Sequence, residues 1–239
     1  MKVLFAVLLA VSAAFAGNVE ITSAGQVGTA PDTPLEAIGD YYYGTLSSSQ
    51  GGGIDGFGLW ANGAFSLSYK ATWYSATQYL YEYTFTITQK DMSHWILGLS
   101  DNCTAACIVG LTVSGTSAKQ AEVKTYTPQD GNSNPGMPGN LYGVKWDISG
   151  DGTGTFTFSF FSDRVPVFQN FYAKDGRGGG DWTYAYNTGF ANGMSMLLAP
   201  DTKVLSVVPE PHVYVGLAPA LLALAYVARK RKLNQQAQE

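Results

Sequence analysis

The chain has 239 residues and a formal net charge of −4; only 13% of them are charged, beside 28 glycines and 15 tyrosines. Between Gly17 and Val208 nine Lys and Arg face sixteen Asp and Glu. This disfavours nucleic-acid binding, which relies on clustered basic side chains.

Lys2 gives a positive start, Val3 to Ala14 form an apolar run, and Ala14-Phe15-Ala16 has the small-x-small pattern that signal peptidase reads. The pattern predicts a Sec signal peptide over 1–16, cut between Ala16 and Gly17. A first transmembrane helix would need about twenty apolar residues, and Gly17, Asn18 and Glu20 arrive too soon.

Residues 17–207 are long enough for one exported domain with a substantial core. Period-two alternation predicts half-buried strands at Phe65-Leu67-Tyr69, at Tyr79 to Thr88, at Val144-Trp146-Ile148 and at Phe156-Phe158-Phe160. In the Tyr79 run the prediction turns Tyr79, Tyr81, Tyr83, Phe85 and Ile87 to one side. Shorter apolar runs near Trp95–Leu99, Ile108–Val113, Val167–Tyr172, Trp182–Phe190 and Lys203–Val208 bring the count to nine or ten strands. Turn-formers crowd 50–53, 130–140 and 175–181. The predicted fold is all-β, a two-sheet antiparallel sandwich of jelly-roll-like type.

Cys103 and Cys107 are the two cysteines, spaced C-x-x-x-C. In an exported chain they are expected to form a disulfide pinning a short turn, worth about 2 kcal/mol at most because the loop is small. Metal binding would need more ligands; His94, nine residues upstream of Cys103, reads as structural. The acidic turns at 147–152 and 175–181 could offer oxygens to Ca²⁺, but neither has a recognised calcium-loop spacing and Asp-Gly is ordinary turn chemistry. No cofactor is expected.

His94 and His212 are the two histidines, and no G-x-S-x-G is present. Glycoside hydrolysis needs only two carboxylates, yet no pair is marked by its surroundings. The domain is therefore read as non-enzymatic. Tyr41-Tyr42-Tyr43, Trp73-Tyr74, Trp182 and Tyr184 could stack on sugar rings, or serve as core and cross-strand partners.

The chain ends with Val208-Pro209-Glu210-Pro211, an apolar stretch of sixteen residues over 213–228, the cluster Arg229-Lys230-Arg231-Lys232, and a polar tail over 233–239. As a helix the apolar stretch spans about 24 Å, at the short limit for a hydrocarbon core. Four cations directly after it should stay cytoplasmic, placing the domain across the membrane, the orientation that the signal peptide also requires. A permanent type I membrane anchor is the plain alternative.

This order of parts over 208–232 resembles the PEP-CTERM sorting domain. The resemblance implies a Gram-negative bacterial protein that signal peptidase and then an exosortase process, with Pro209, Glu210 and Pro211 as the recognition motif and the inner membrane as a transient anchor. The implied destination is the cell surface or extracellular matrix, with exopolysaccharide a possible partner. A secreted carbohydrate-active hydrolase using the same route is the alternative. Two prolines hold the motif extended, and Glu210 supplies one charge for an enzyme to read. The stretch 161–176, followed by 186–190, resembles a segment recurring in uncharacterised PEP-CTERM ectodomains and implies no activity. In a bacterial setting the sequon Asn102-Cys103-Thr104 reads as coincidence.

Overall fold

The computed structural model describes residues 17–128, 133–149, 151–175 and 182–204. The expected signal peptide over 1–16, the motif Pro209-Glu210-Pro211, the apolar stretch over 213–228, the cluster Arg229 to Lys232 and the polar tail lie outside the described residues.

The described chain is all-β. Its strands are β1 (Asn18–Glu20), β2 (Gly25–Gln26), β3 (Tyr41–Ser47), β4 (Ile54–Phe57), β5 (Phe65–Ser75), β6 (Gln78–Ile87), β7 (His94–Gly98) and β8 (Val109–Ser114). There follow β9 (Ala118–Tyr126), β10 (Leu141–Ile148), β11 (Gly154–Ser162), β12 (Arg164–Phe168), β13 (Phe171–Lys174), β14 (Tyr184–Asn187), β15 (Met194–Ser195) and β16 (Leu198–Val204).

One sheet has the order β1-β3-β5-β6-β11-β8, the other β4-β14-β13-β7-β10-β9, and β12–β16 and β2–β15 form two-stranded ribbons. Every pairing between named strands is antiparallel except β1 with β3.

The alternation in β6 is observed as predicted: Tyr79, Tyr81, Tyr83, Phe85 and Ile87 are buried and the residues between them are half-buried. Their partners Phe65, Leu67 and Tyr69 on β5 and Phe156, Phe158 and Phe160 on β11 point the same way. The second sheet answers with Trp95, Trp146 and Phe171. Trp95 meets Phe85 at 4.9 Å and Phe158 at 5.2 Å between ring centroids, while Trp146 stacks on Trp95 at 4.6 Å. Edge-to-face and offset aromatic contacts of this kind add to what burial of the rings contributes.

Three of the buried phenols explain why tyrosine rather than phenylalanine stands there. Tyr81 donates to Arg164 O at 2.9 Å, Tyr83 to Leu198 O at 2.8 Å, and Tyr69 to Met196 O. Together they tie the face of the first sheet to the β12–β16 region, where the chain's last described strand ends. Burial raises the pKa of all three hydroxyls, so they stay protonated donors.

Two expectations shift in position. The run Val167–Tyr172 is broken at Gln169 and Asn170, whose backbones bond across to Leu197 and Gly98 instead of continuing one ladder. The final strand begins at Leu198, before the predicted Lys203, because Pro200 pairs opposite Pro166 in the β12–β16 ribbon. Strand β9 (AKQAEVKTY) went unpredicted: it is an edge strand whose polar side chains hide the alternation.

The expected disulfide is overturned. Cys103 and Cys107 are free, buried thiols, not at disulfide distance. A 3-10 turn at Ala105–Cys107, begun by Thr104, buries both side chains in the core, where the Cys103 thiol donates to Thr104 O at 3.9 Å. Burial pushes the Cys103 thiol well up, and the thiolate that oxidation needs is thereby suppressed. The pair acts as two small core side chains.

Candidate functional site

The edge of the second sheet at β4 carries a cavity of about 610 Å³, within the size range of small-ligand sites. Its walls are Ala24, the turn 48–53, β4, the turn at 61–62, Thr188 and Met196. The local sequence dictates this shape. Gly51 and Gly53 take positive φ (74° and 82°), folding the chain back so that Ser47 bridges Gly53. After β4 a 3-10 turn at Gly58–Trp60 drives Trp60 into the core against Phe65 at 4.8 Å. The chain then reverses through Asn62 (φ 56°) and Gly63 (φ 89°), whose amide donates to Ser48 Oγ at 3.1 Å.

Period-two alternation in β4 sends Ile54 inward and Asp55 and Phe57 to the outer face, opposite Tyr186 and Tyr184 of β14. Asp55 Oδ1 accepts from the Thr188 hydroxyl at 2.8 Å, which fixes the carboxylate at the cavity wall. The side-chain amides of Gln50 and Asn62 also line the cavity, and neither bonds to protein among the described residues. Asp55 is the one ionisable side chain in the lining.

An aromatic band runs from this cavity across the outer face. Phe57 stacks on Tyr184 at 4.5 Å and 19°, Tyr184 lies 6.3 Å from Tyr186, and Tyr172 follows 6.4 Å from Tyr184. The far end is closed: Tyr172 donates to Pro135 O at 2.7 Å, and Gly136 sits so close to Tyr184 that a Cβ there would come 2.2 Å from the ring. The near end is open, with Phe57 37% exposed. Partial burial raises the pKa of both Tyr184 and Tyr186, for Tyr186 with help from the Asp55 charge.

Of the aromatic residues singled out in the sequence, Tyr184 joins this band. Trp182 lies under the Lys174 ammonium at 4.9 Å. Tyr42 is core, while Tyr41 and Tyr43 lie on the outer face of the first sheet, with Lys70 4.4 Å over Tyr41. Trp73 donates to Ser75 O at 2.8 Å, and Tyr74 is 53% exposed against Phe161. The structure therefore divides them among separate surfaces and the core. Asp55, Phe57, Asn62 and Tyr186 escaped sequence reasoning; the signals were the alternation in Ile-Asp-Gly-Phe and the Asn62-Gly63 turn dipeptide.

The described carboxylates of the two acidic turns are engaged within the protein. Asp151 Oδ1 already accepts from Thr153 N at 2.9 Å and Thr153 Oγ1 at 2.6 Å, an Asx-type turn, and Asp147 pairs with Lys145 at 2.9 Å. Asp175 pairs with Lys90 at 2.9 Å, and 176–181 lie outside the described residues. Among the described residues no group of three or more His, Cys, Asp and Glu could hold a metal ion. His94 is buried and held neutral, its pKa pulled down to about 3 by burial and by Lys145 and Lys174.

No protein-family profile, curated protein or solved structure matches this chain.

Proposed function

We propose that this chain is an exported, non-enzymatic surface or matrix protein, sorted by exosortase through Pro209-Glu210-Pro211. Its domain, which we read as jelly-roll-like because the chain passes repeatedly between the two sheets, is an adhesive unit for saccharide chains. The sorting half rests on the order of motif, apolar stretch and basic cluster in the sequence.

The observation that carries the adhesive half is the wall chemistry of the β4 cavity. An exposed aromatic ring beside two unpaired side-chain amides, a fixed carboxylate and hydroxyls suits a polyol ring with one apolar face. The lining holds no Lys or Arg, so an uncharged sugar fits better than an anionic one. One carboxylate favours holding a glycan over cleaving it, since hydrolysis uses two.

Asn62 provides a clean test. Its backbone needs positive φ, which glycine supplies without strain, so Asn62→Gly deletes the amide and spares the turn. Affinity electrophoresis of the exported protein through dextran, laminarin, glucomannan and alginate should show retardation by at least one neutral polymer. Asn62→Gly and Phe57→Ala should each weaken it about tenfold, and Tyr74→Ala on the other sheet should not. Absence of retardation in every neutral gel, or equal retardation of all variants, would overturn the adhesive reading while leaving sorting untouched.

A further inference from the structure

Asp40 is 1% exposed, yet among the described residues no Lys or Arg pairs with it. Among the described residues its two oxygens are served by backbone amides alone. Oδ2 accepts from Glu36 N and Ala37 N, both at 2.8 Å, and Oδ1 accepts from Gly17 N at 2.5 Å. A buried carboxylate without a cation is costly, and such groups are ordinarily paired.

Gly17 is held on its other side too. Its carbonyl accepts from Tyr41 N at 3.3 Å, directly before the parallel pairing of Asn18 with Tyr41 that makes β1 the edge of the first sheet. The nitrogen that meets Asp40 is the nitrogen that signal peptidase would free.

We infer that Asp40 is the receptor for the amino terminus that export creates, so that cleavage completes a buried ion pair. The inference rests on the cleavage reading. Hydrolysis of the Ala16–Gly17 peptide bond consumes one water: Ala16 leaves with the new carboxylate on the signal peptide, and the Gly17 nitrogen takes up a proton to become an ammonium. A single neutral N–H donor is thereby replaced, at the same position, by a cation with three donors. Charge-assisted bonds of this kind are roughly twice as strong as neutral ones.

Two consequences follow for folding. In the precursor, β1 is attached through a neutral hydrogen bond and a short parallel pairing. After cleavage the same strand is locked by charge, so the fully stable domain exists only once the leader is gone. The absence of a lysine or arginine beside Asp40 fits this arrangement, because a side-chain cation there would fill the carboxylate before maturation.

The test moves the ammonium without touching the domain. Insertion of Gly-Ser after Ala16 keeps the cleavage motif and shifts the mature terminus two residues from Asp40. N-terminal sequencing of the exported proteins reports where each begins, and thermal unfolding reports its stability. The native form is expected to begin at Gly17 and to melt about 4 °C or more above the insertion form. Asp40→Asn is expected to lower the melting temperature more in the native-terminus form than in the insertion form. A native terminus elsewhere would overturn both the cleavage reading and the ion pair. A native terminus at Gly17 with equal melting of the two wild-type forms would overturn the ion pair alone. Should Asp40→Asn fail to fold, the comparison of the two wild-type forms still decides.

Discussion

Asn187 Nδ2 donates to Asn170 Oδ1 at 2.9 Å inside the domain, and the same Asn187 accepts from Phe171 N at 2.9 Å and donates to Met194 O at 3.0 Å. Asn187 is fully buried, and three of its four bonding positions are filled by these contacts. It closes the break between β12 and β13 onto the end of β14, holding the register of the strands that carry Tyr172, Tyr184 and Tyr186.

Asn187→Ala leaves the Phe171 amide and the Asn170 side-chain oxygen, both buried, without their partner. Each orphaned buried group costs on the order of 1–3 kcal/mol, so a loss of about 2–5 kcal/mol is expected in urea unfolding. Asn187→Asp keeps the acceptor for Phe171 but sets an anion against Asn170 and Met194 O, and should be at least as damaging.

His94 gives the domain a specific acid sensitivity. It is buried on β7 and flanked by Lys145 and Asp147 of β10 and Lys174 of β13; it bonds to Asn134 and lies 6.2 Å from the Tyr172 ring. Its Nε2 has no partner among the described residues. With the folded pKa lowered to about 3 and the unfolded pKa near 6.5, the unfolded chain binds the extra proton between those values. Stability is therefore lost as pH falls through that window, by up to about 1.4 kcal/mol per pH unit. His94→Gln should flatten the dependence of unfolding free energy on pH between about 6.5 and 3.

The cysteines are expected to behave as core residues. In the native protein, Cys103 and Cys107 should resist a water-soluble thiol reagent over minutes, and two equivalents should react after unfolding without prior reduction. Cys103→Ser should destabilise by about 1–3 kcal/mol by placing a hydroxyl in an apolar site, whereas Cys103→Ala should cost less.

Tyr83 illustrates how a core position can carry a polar requirement. Tyr83→Phe keeps the ring against Trp95 at 5.4 Å but strips the donor from the buried Leu198 carbonyl. A loss of about 1–3 kcal/mol is expected in thermal or urea unfolding, with near-ultraviolet dichroism retained.

The strands buried on one face were legible in the sequence because period-two alternation records one-sided burial directly, as in β6 and β11. What stayed hidden has physical reasons. Strand β9 is an edge with charged residues such as Lys119, Glu122 and Lys124, which protect an edge but erase the pattern. Asp55 and Asn62 meet at one cavity only because two turns fold back beside β4, and such convergence has no local signature. The cysteine spacing suggested a bridge, but the intervening 3-10 turn set the sulfurs as buried neighbours instead.

The central claim, that this is a sorted and processed surface protein, is tested most directly by intact mass in exosortase-positive cells. The wild-type protein recovered from the surface or medium should begin at Gly17 and lack the tail beyond about Glu210. Replacing Pro209, Glu210 and Pro211 by Ala removes two helix-breaking residues and the one charge that the sorting proposal makes the recognition handle. That variant should fold and cross the membrane, yet accumulate uncut in the inner-membrane fraction. If it instead reaches the surface or medium as efficiently as wild type with the same loss of mass, these three residues are not a sorting signal and the claim is contradicted.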